Sequence, residues 1–224
     1  MVLAKRLSAY AGRPDVLVLA LPRGGVAVAY EVASALGAPL DVLVVRKLGL
    51  PGREELAIGA IASGGVRVLN EELVSQLTEA HEIVDLVAAK ELRELQWREA
   101  EYRDQRPFPT IEAHAIILVD DGLATGSTMK AAMRALRQRN AARVVVAVPV
   151  ASPKTCMEVK READETICVL TPEEFYAVGE WYEDFSQTSD EEVHDLLARA
   201  EKRHREMSEK LLRISFNSDD TPCL

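Results

Sequence analysis

Thirteen residues, "IILVDDGLATGST" (116–128), hold side chains whose order suggests more than packing. An apolar run ends in adjacent carboxylates, Asp120 and Asp121. A turn of Gly122, Ala124, Thr125 and Gly126 then leads into a helical pattern. Amides freed at Gly126, Ser127 and Thr128 would point at an anion, assisted by the dipole of the helix they open. The hydroxyls of Thr125, Ser127 and Thr128 add donors. A bare phosphate would be repelled by the two aspartates. The acids must therefore face another part of the same ligand: hydroxyl groups, a cation, or positive charge that develops during reaction. A phosphorylated sugar satisfies both halves. A Walker A loop needs a lysine and a wider glycine spacing, and the dinucleotide fingerprint is absent.

Two further stretches carry candidate anion contacts. In "LPRGGVAVA" (21–29), Gly24 and Gly25 let backbone amides come close to an anion, and Arg23 supplies a fork of donors. In "RKLGLPGREELAIGA" (46–60), Arg46 and Lys47 leave an apolar strand abruptly, and Gly49, Pro51 and Gly52 form a loop able to move. A third stretch, "EEFYAVGEWYEDF" (173–185), concentrates aromatics in a chain that is 5% aromatic overall. His81, His114, His194 and His204 show no metal spacing. Cys156 and Cys168 read as small core residues, and three cysteines in total give no disulfide framework.

The elements that must position these residues follow from the apolar pattern. "VLVLAL" (16–21), "VLVV" (42–45), "AIILV" (115–119) and "VVVAVPV" (144–150) are apolar on both faces, which fits parallel strands covered by helices on each side. Helices are expected over 26–36, stopped by Gly37, and over 127–139. The expected fold class is α/β, a Rossmann-like parallel sheet flanked by helices. "AIGAIASGGVRVL" (57–69) reads as a β-hairpin turning at Ser63-Gly64-Gly65. Residues 71–105 read as one helix or two, with Thr78 able to cap a restart. A last helix begins after Ser189 with Glu192 completing a capping box, and Val193, Leu196, Leu197, Ala200, Met207 and Leu211 form its stripe.

With the motif and its surroundings in place, "IILVDDGLATGST" resembles the phosphoribosyl pyrophosphate (PRPP) motif of the type I phosphoribosyltransferase family: apolar strand, two acids, then x-x-x-T-G-x-T. The resemblance implies one phosphoribosyltransferase domain over 1–224, with its core near 1–56 and 110–170. A helical and β hood would take 57–109 and 171–213, leaving 214–224 as a frayed tail. It implies a PRPP phosphate loop of Gly122, Ala124, Thr125, Gly126, Ser127 and Thr128. It implies a pyrophosphate clasp of Arg23, Gly24 and Gly25, with a cis peptide at Pro22–Arg23, joined by Arg46, Lys47 and Arg53 from a closing loop. Asp120, Asp121, Arg23 and Lys47 would be catalytic. Mg²⁺ would arrive mainly through PRPP and water, with no direct protein ligand.

The same resemblance implies transfer of a 5-phosphoribosyl group from PRPP to a nitrogenous acceptor with release of pyrophosphate. Matching on Val178-Gly179 makes Tyr176 the ring that stacks on the acceptor, with Phe175, Val178 and Trp181 beside it. Enzymes acting on 6-oxopurines carry an aspartate where this chain has Ala124, so adenine-like acceptors fit better. The chain resembles a bacterial subgroup whose acceptor is not established. A non-enzymatic PRPP-binding regulator or scaffold on the same fold is the alternative.

Composition narrows the classes. Nearly half the residues are hydrophobic, enough for a sizeable core, and the formal charge of −9 argues against a nucleic-acid surface. No apolar run approaches the ~18 residues of a membrane span, and no signal peptide is evident near the first residues. The expectation is a cytoplasmic homodimer with small-molecule ligands and neither nucleic-acid nor membrane partners.

Overall fold

A computed structural model of the chain describes residues 2–77, 79–104 and 106–218, with side chains in the last helix described as far as Lys210. A short helix, α1 (Val2–Arg6), leads to β1 (Val16–Ala20), α2 (Gly25–Leu36) and β2 (Leu40–Val42). A meander follows: β3 (Val45–Leu50), β4 (Arg53–Ala62) and β5 (Val66–Leu69). Helices α3 (Glu71–Val74) and α4 (Ala80–Arg103) precede β6 (Ala115–Val119), α5 (Ser127–Gln138) and β7 (Arg143–Val150). Then come α6 (Pro153–Glu162), β8 (Glu165–Leu170) and α7 (Asp190–Ser218).

The larger sheet runs β2-β1-β6-β7-β8, every pair parallel. Alternation along its central strands feeds two separate cores. Val16, Val18 and Ala20 pack toward Val26, Ala29 and Val32 of α2 and Val193 and Leu197 of α7. Leu17, Leu19 and Leu21 pack toward Met129, Met133 and Leu136 of α5 and Val159 of α6. This is the expected α/β architecture, and burial of both faces explains the unbroken apolar runs. From β1 the chain turns to β2 on one side, while from β6 it turns to β7 on the other. The carboxyl ends of β1 and β6 therefore flank a topological switch point, where open α/β sheets bind ligands.

The smaller sheet, β3-β4-β5, is antiparallel. Its β4–β5 hairpin turns at Ser63-Gly64-Gly65, as the sequence predicts. Two expectations change here. The run 42–45 is not one parallel strand: Val42 pairs with Ala20, whereas Val45 begins β3 opposite Ala62. Leu43 and Val44 between them are buried in the passage from one sheet to the other, which explains why the run is apolar. Residues 46–50, expected as a mobile loop, form strand β3, and only Pro51 and Gly52 turn. β8 has no counterpart among the apolar runs, because an edge strand with mostly part-exposed residues gives no continuous one.

The stretch 71–105 forms two helices, with Asn70 capping α3 through a hydrogen bond from Leu73 N. Thr78, the expected cap of the restart, lies outside the described residues. Ser189 Oγ accepts a hydrogen bond from Glu192 N (3.1 Å), one half of the expected box. Val193, Leu197 and Ala200 are buried on the expected stripe, while the side chain of Leu211 lies outside those described. α7 continues through Ser218, past the start of the expected frayed tail, and residues 219–224 lie outside the described residues.

Cys156 of α6 and Cys168 of β8 form a disulfide, with Cα atoms 6.7 Å apart. This corrects the reading of two unpaired thiols. The α6 crossover folds back over β7 and β8, so a separation of 12 residues becomes a contact that spacing alone does not reveal.

Candidate functional site

Strand β6 is buried throughout, so Asp120 and Asp121 are the first residues released from it at the sheet's carboxyl edge. They meet the β1–α2 turn at close range. A Cβ on Gly25 would lie 2.9 Å from both Asp120 Cα and Val119 O, and one on Gly24 would collide with the Asp121 carboxylate. Only residues without side chains allow this approach. The peptide bond Pro22–Arg23 is cis, as the resemblance implies. Asp120 Oδ1 accepts a hydrogen bond from Asp121 N (2.9 Å). Burial, reinforced by the neighbouring Asp121 charge, pushes the Asp120 carboxyl well above the usual range. Burial also raises Asp121, against a hydrogen bond from Asp120 that lowers it.

The turn after the acids is laced to the next strand and helix. Leu123 N donates to Val150 O (3.0 Å), and Ser152 N donates to Leu123 O (2.9 Å). The carbonyl of Ala124 accepts from Thr155 Oγ1 (2.6 Å), and Ser152 Oγ lies 2.9 Å from Thr155 Oγ1. Gly126 has φ +68° and its side-chain-free face sits on Thr155 Cγ2, where a Cβ would approach to 2.6 Å. It opens α5 with no side-chain cap hydrogen bond, so no N-cap side chain occupies the first-turn amides. Thr125, Ser127 and Thr128 are exposed around them.

The structure distributes the expected cations unevenly. Arg23 lines a cavity of about 410 Å³ together with Gly24, Asp121, Tyr182 and Phe185. Arg46 is engaged by Glu91 of α4 at 2.8 Å. Lys47 forms no ion pair among the described residues, and it lines a cavity of about 380 Å³ with Ser127 and Thr128. Arg53 stands exposed beside the Pro51-Gly52 turn and contributes to neither cavity.

The aromatic segment also sorts itself. Val178 packs on Gly122, where a Cβ would come within 2.6 Å of its Cγ1. A 3-10 turn over Val178–Trp181 then brings Tyr182 back, and its hydroxyl donates to the Asp121 carbonyl (2.6 Å). Phe185 lies 5.2 Å from the Tyr182 ring. Tyr176, expected to stack on an acceptor, is 79% exposed, Trp181 is 40% exposed, and Phe175 is part-buried. The ring beside the acid pair is therefore Tyr182.

The model of the phosphoribosyl transferase domain family matches residues 1–184 of this sequence. The chain belongs to that family. A relative in Mycobacterium tuberculosis strain H37Rv, Rv0571c, bears a provisional phosphoribosyl transferase name. It is 47% identical over 207 residues, which cover 92% of this chain and 46% of the relative. The chain thus spans about half the length of the mycobacterial relative it matches. The crystal structure of TT1426 from Thermus thermophilus superposes with a TM-score of 0.78 at 42% identity, covering 88% of this chain and 92% of that one.

Three members of the site in this phosphoribosyl transferase domain escaped the sequence. Ser152 and Thr155 carried a usable signal, since Ser-Pro followed by a Thr marks a capped helix start. Its use in holding the preceding loop had none. Tyr182 lacked a signal because its reach depends on the turn before it. Among the described residues, no group of three or more His, Cys, Asp or Glu side chains is arranged to hold a metal ion.

Proposed function

We propose that the chain is a PRPP-dependent phosphoribosyltransferase, moving the 5-phosphoribosyl group from Mg²⁺·PRPP to a nitrogen nucleophile. The carrying observation is the meeting, at one switch point, of the paired acids, the Gly24-Gly25 turn and the uncapped start of α5. An uncapped, hydroxyl-rich helix start suits the 5′-phosphate. Two carboxylates in the adjoining turn suit ribose hydroxyls. The C1–O bond to pyrophosphate breaks as a C1–N bond forms, and the ring passes through an oxocarbenium-like state. Asp120 and Asp121 favour that positive charge. Their raised pKa values fall as ligand donors and developing charge reach them. Arg23 and Lys47 stabilise the departing pyrophosphate, and Mg²⁺ enters with the substrate's own phosphates.

Two expected contributors have smaller parts in this reading. Arg46 must exchange Glu91 for substrate, and Arg53 reaches pyrophosphate only if the arm carrying it moves. For the acceptor, Ala124 in place of an acid supports an adenine-like base over a 6-oxopurine. Tyr182, Phe185 and Val178 offer it apolar surface. Pyrophosphate release from Mg²⁺·PRPP across a panel of nitrogenous bases tests the proposal. Base-dependent release is expected; no release with any base, and no binding of PRPP, would end it.

A further inference from the structure

The last turn of α4 ends in two buried polar residues. Arg103, 2% exposed, is tied to Asp41 (2.7 Å) and Glu99 (2.9 Å), which fixes this end of the helix against β2. Tyr102, 1% exposed, donates its hydroxyl to Asp190 Oδ1 at the first position of α7. The other carboxylate oxygen, Oδ2, lies 3.5 Å from Arg23 Nη1. Burial and the bond to Asp190 raise Tyr102 far above an ordinary phenol, so it donates as a neutral group throughout the working range. The start of α7 is pinned a second time, one turn on, where His194 meets Asp104 at 2.9 Å.

Among the described residues Asp190 is the only ion-pair partner of Arg23. A guanidinium carries five N–H donors in a planar fork. Held at one nitrogen by Asp190, it keeps the rest of the fork for the cavity it shares with Gly24 and Asp121. Ordering it before a ligand arrives reduces the freedom lost on binding.

We infer that Tyr102 and Asp190 are positioning residues for Arg23, a chain running from the end of α4 through the first residue of α7 to the β1–α2 turn. The inference rests on the proposed contact between Arg23 and the pyrophosphate of PRPP. It also gives α4 a role, since its final turn delivers the hydroxyl that orients the clasp.

The test is calorimetric titration of Mg²⁺·PRPP into the full chain and into Tyr102→Phe, Asp190→Asn and Arg23→Ala. Each of the first two is then combined with Arg23→Ala. Tyr102→Phe and Asp190→Asn are each expected to weaken binding about threefold to thirtyfold, within the coupling seen inside one network. Neither should weaken it further once Arg23 is alanine. An equal additional loss in the Arg23→Ala background would assign both residues a general structural role and overturn the inference, as would unchanged affinity in both single variants. Asp190 is part-exposed, so Asp190→Asn decides the question alone if Tyr102→Phe does not fold. Wild-type affinity in Arg23→Ala would instead remove the clasp reading itself, and the inference with it.

Discussion

At Asp120 and Asp121, burial disfavours charge, and the crowding of two carboxyls adds to it at Asp120; both stand above the usual range. A carboxyl raised in the folded state gives stability that is full below its unfolded value and is lost as pH rises through the folded value. The wild type is therefore weakened at neutral pH by the same pair that the proposed chemistry needs. Asp120→Asn is expected to raise stability by roughly 0.5–2 kcal/mol at pH 7.5, the range of single stabilising changes. That advantage should shrink in thermal melts as pH falls and the raised wild-type carboxyls take up protons. Turnover should move the other way. The double change Asp120→Asn with Asp121→Asn is expected to lower kcat by about 10²–10³, with PRPP affinity altered far less, because the ring charge exists only in the transition state. Wild-type kcat in the double variant would refute this.

The turn over 122–128, proposed above to hold the phosphate, is an element without a fold of its own, and its shape comes from α6. Ser152, which caps that helix, and Thr155 in its first turn direct their hydroxyls back on the Ala124 carbonyl. Thr155 also places a methyl under Gly126. Thr155→Val keeps that methyl and replaces the hydroxyl with a second one, leaving the Ala124 carbonyl only the longer bond from Ser152 Oγ (3.3 Å). A loss of about 1–3 kcal/mol is expected, with a higher KM for PRPP because the loop amides are less well fixed. Unchanged melting together with unchanged KM would show that backbone pairing with β7 suffices. On the opposite side, β3 and β4 make a pleated arm where a loose loop was expected, and α4 occupies the Arg46 side of it.

Across the whole molecule, α4 packs on β3 and β4 and α7 on α2 and β2, and the two helices are joined by Tyr102–Asp190, Asp104–His194 and Arg106–Glu201. Of these, the histidine makes the closure sensitive to pH. The hydrogen bond to Asp104 raises His194 above its ordinary value, outweighing the small effect of burial. A raised histidine adds stability that is full below its unfolded value and is lost as pH rises through the folded one. His194 is 36% exposed, so solvent screening keeps the effect within about 1 kcal/mol. Wild type and His194→Ala should differ in melting temperature at pH 5.5 and converge above the histidine range. A constant difference at every pH would show that packing, not charge, is what the ring supplies.

The sequence alone determined the parallel sheet, the acid pair at the end of β6, the glycine turn after β1 and the family. Each depends on neighbours a few residues away: two-faced apolar runs, strand-to-helix turns and a contiguous motif. The hairpin at 63–65 and the Ser189 cap were legible for the same reason. Only the tertiary structure decided which distant side chains meet. Nothing local in "ETICVL" marks an edge strand, and nothing at Cys156 points to Cys168. Arg46 and Lys47 look equivalent in the chain, yet one is claimed by Glu91 on α4 while the other lies along the start of α5. Tyr182 displaced Tyr176 beside the acids because a single 3-10 turn reversed the chain. Spacing encodes periodic contacts within an element, whereas contacts between elements depend on how whole faces pack, and a linear pattern does not carry that information.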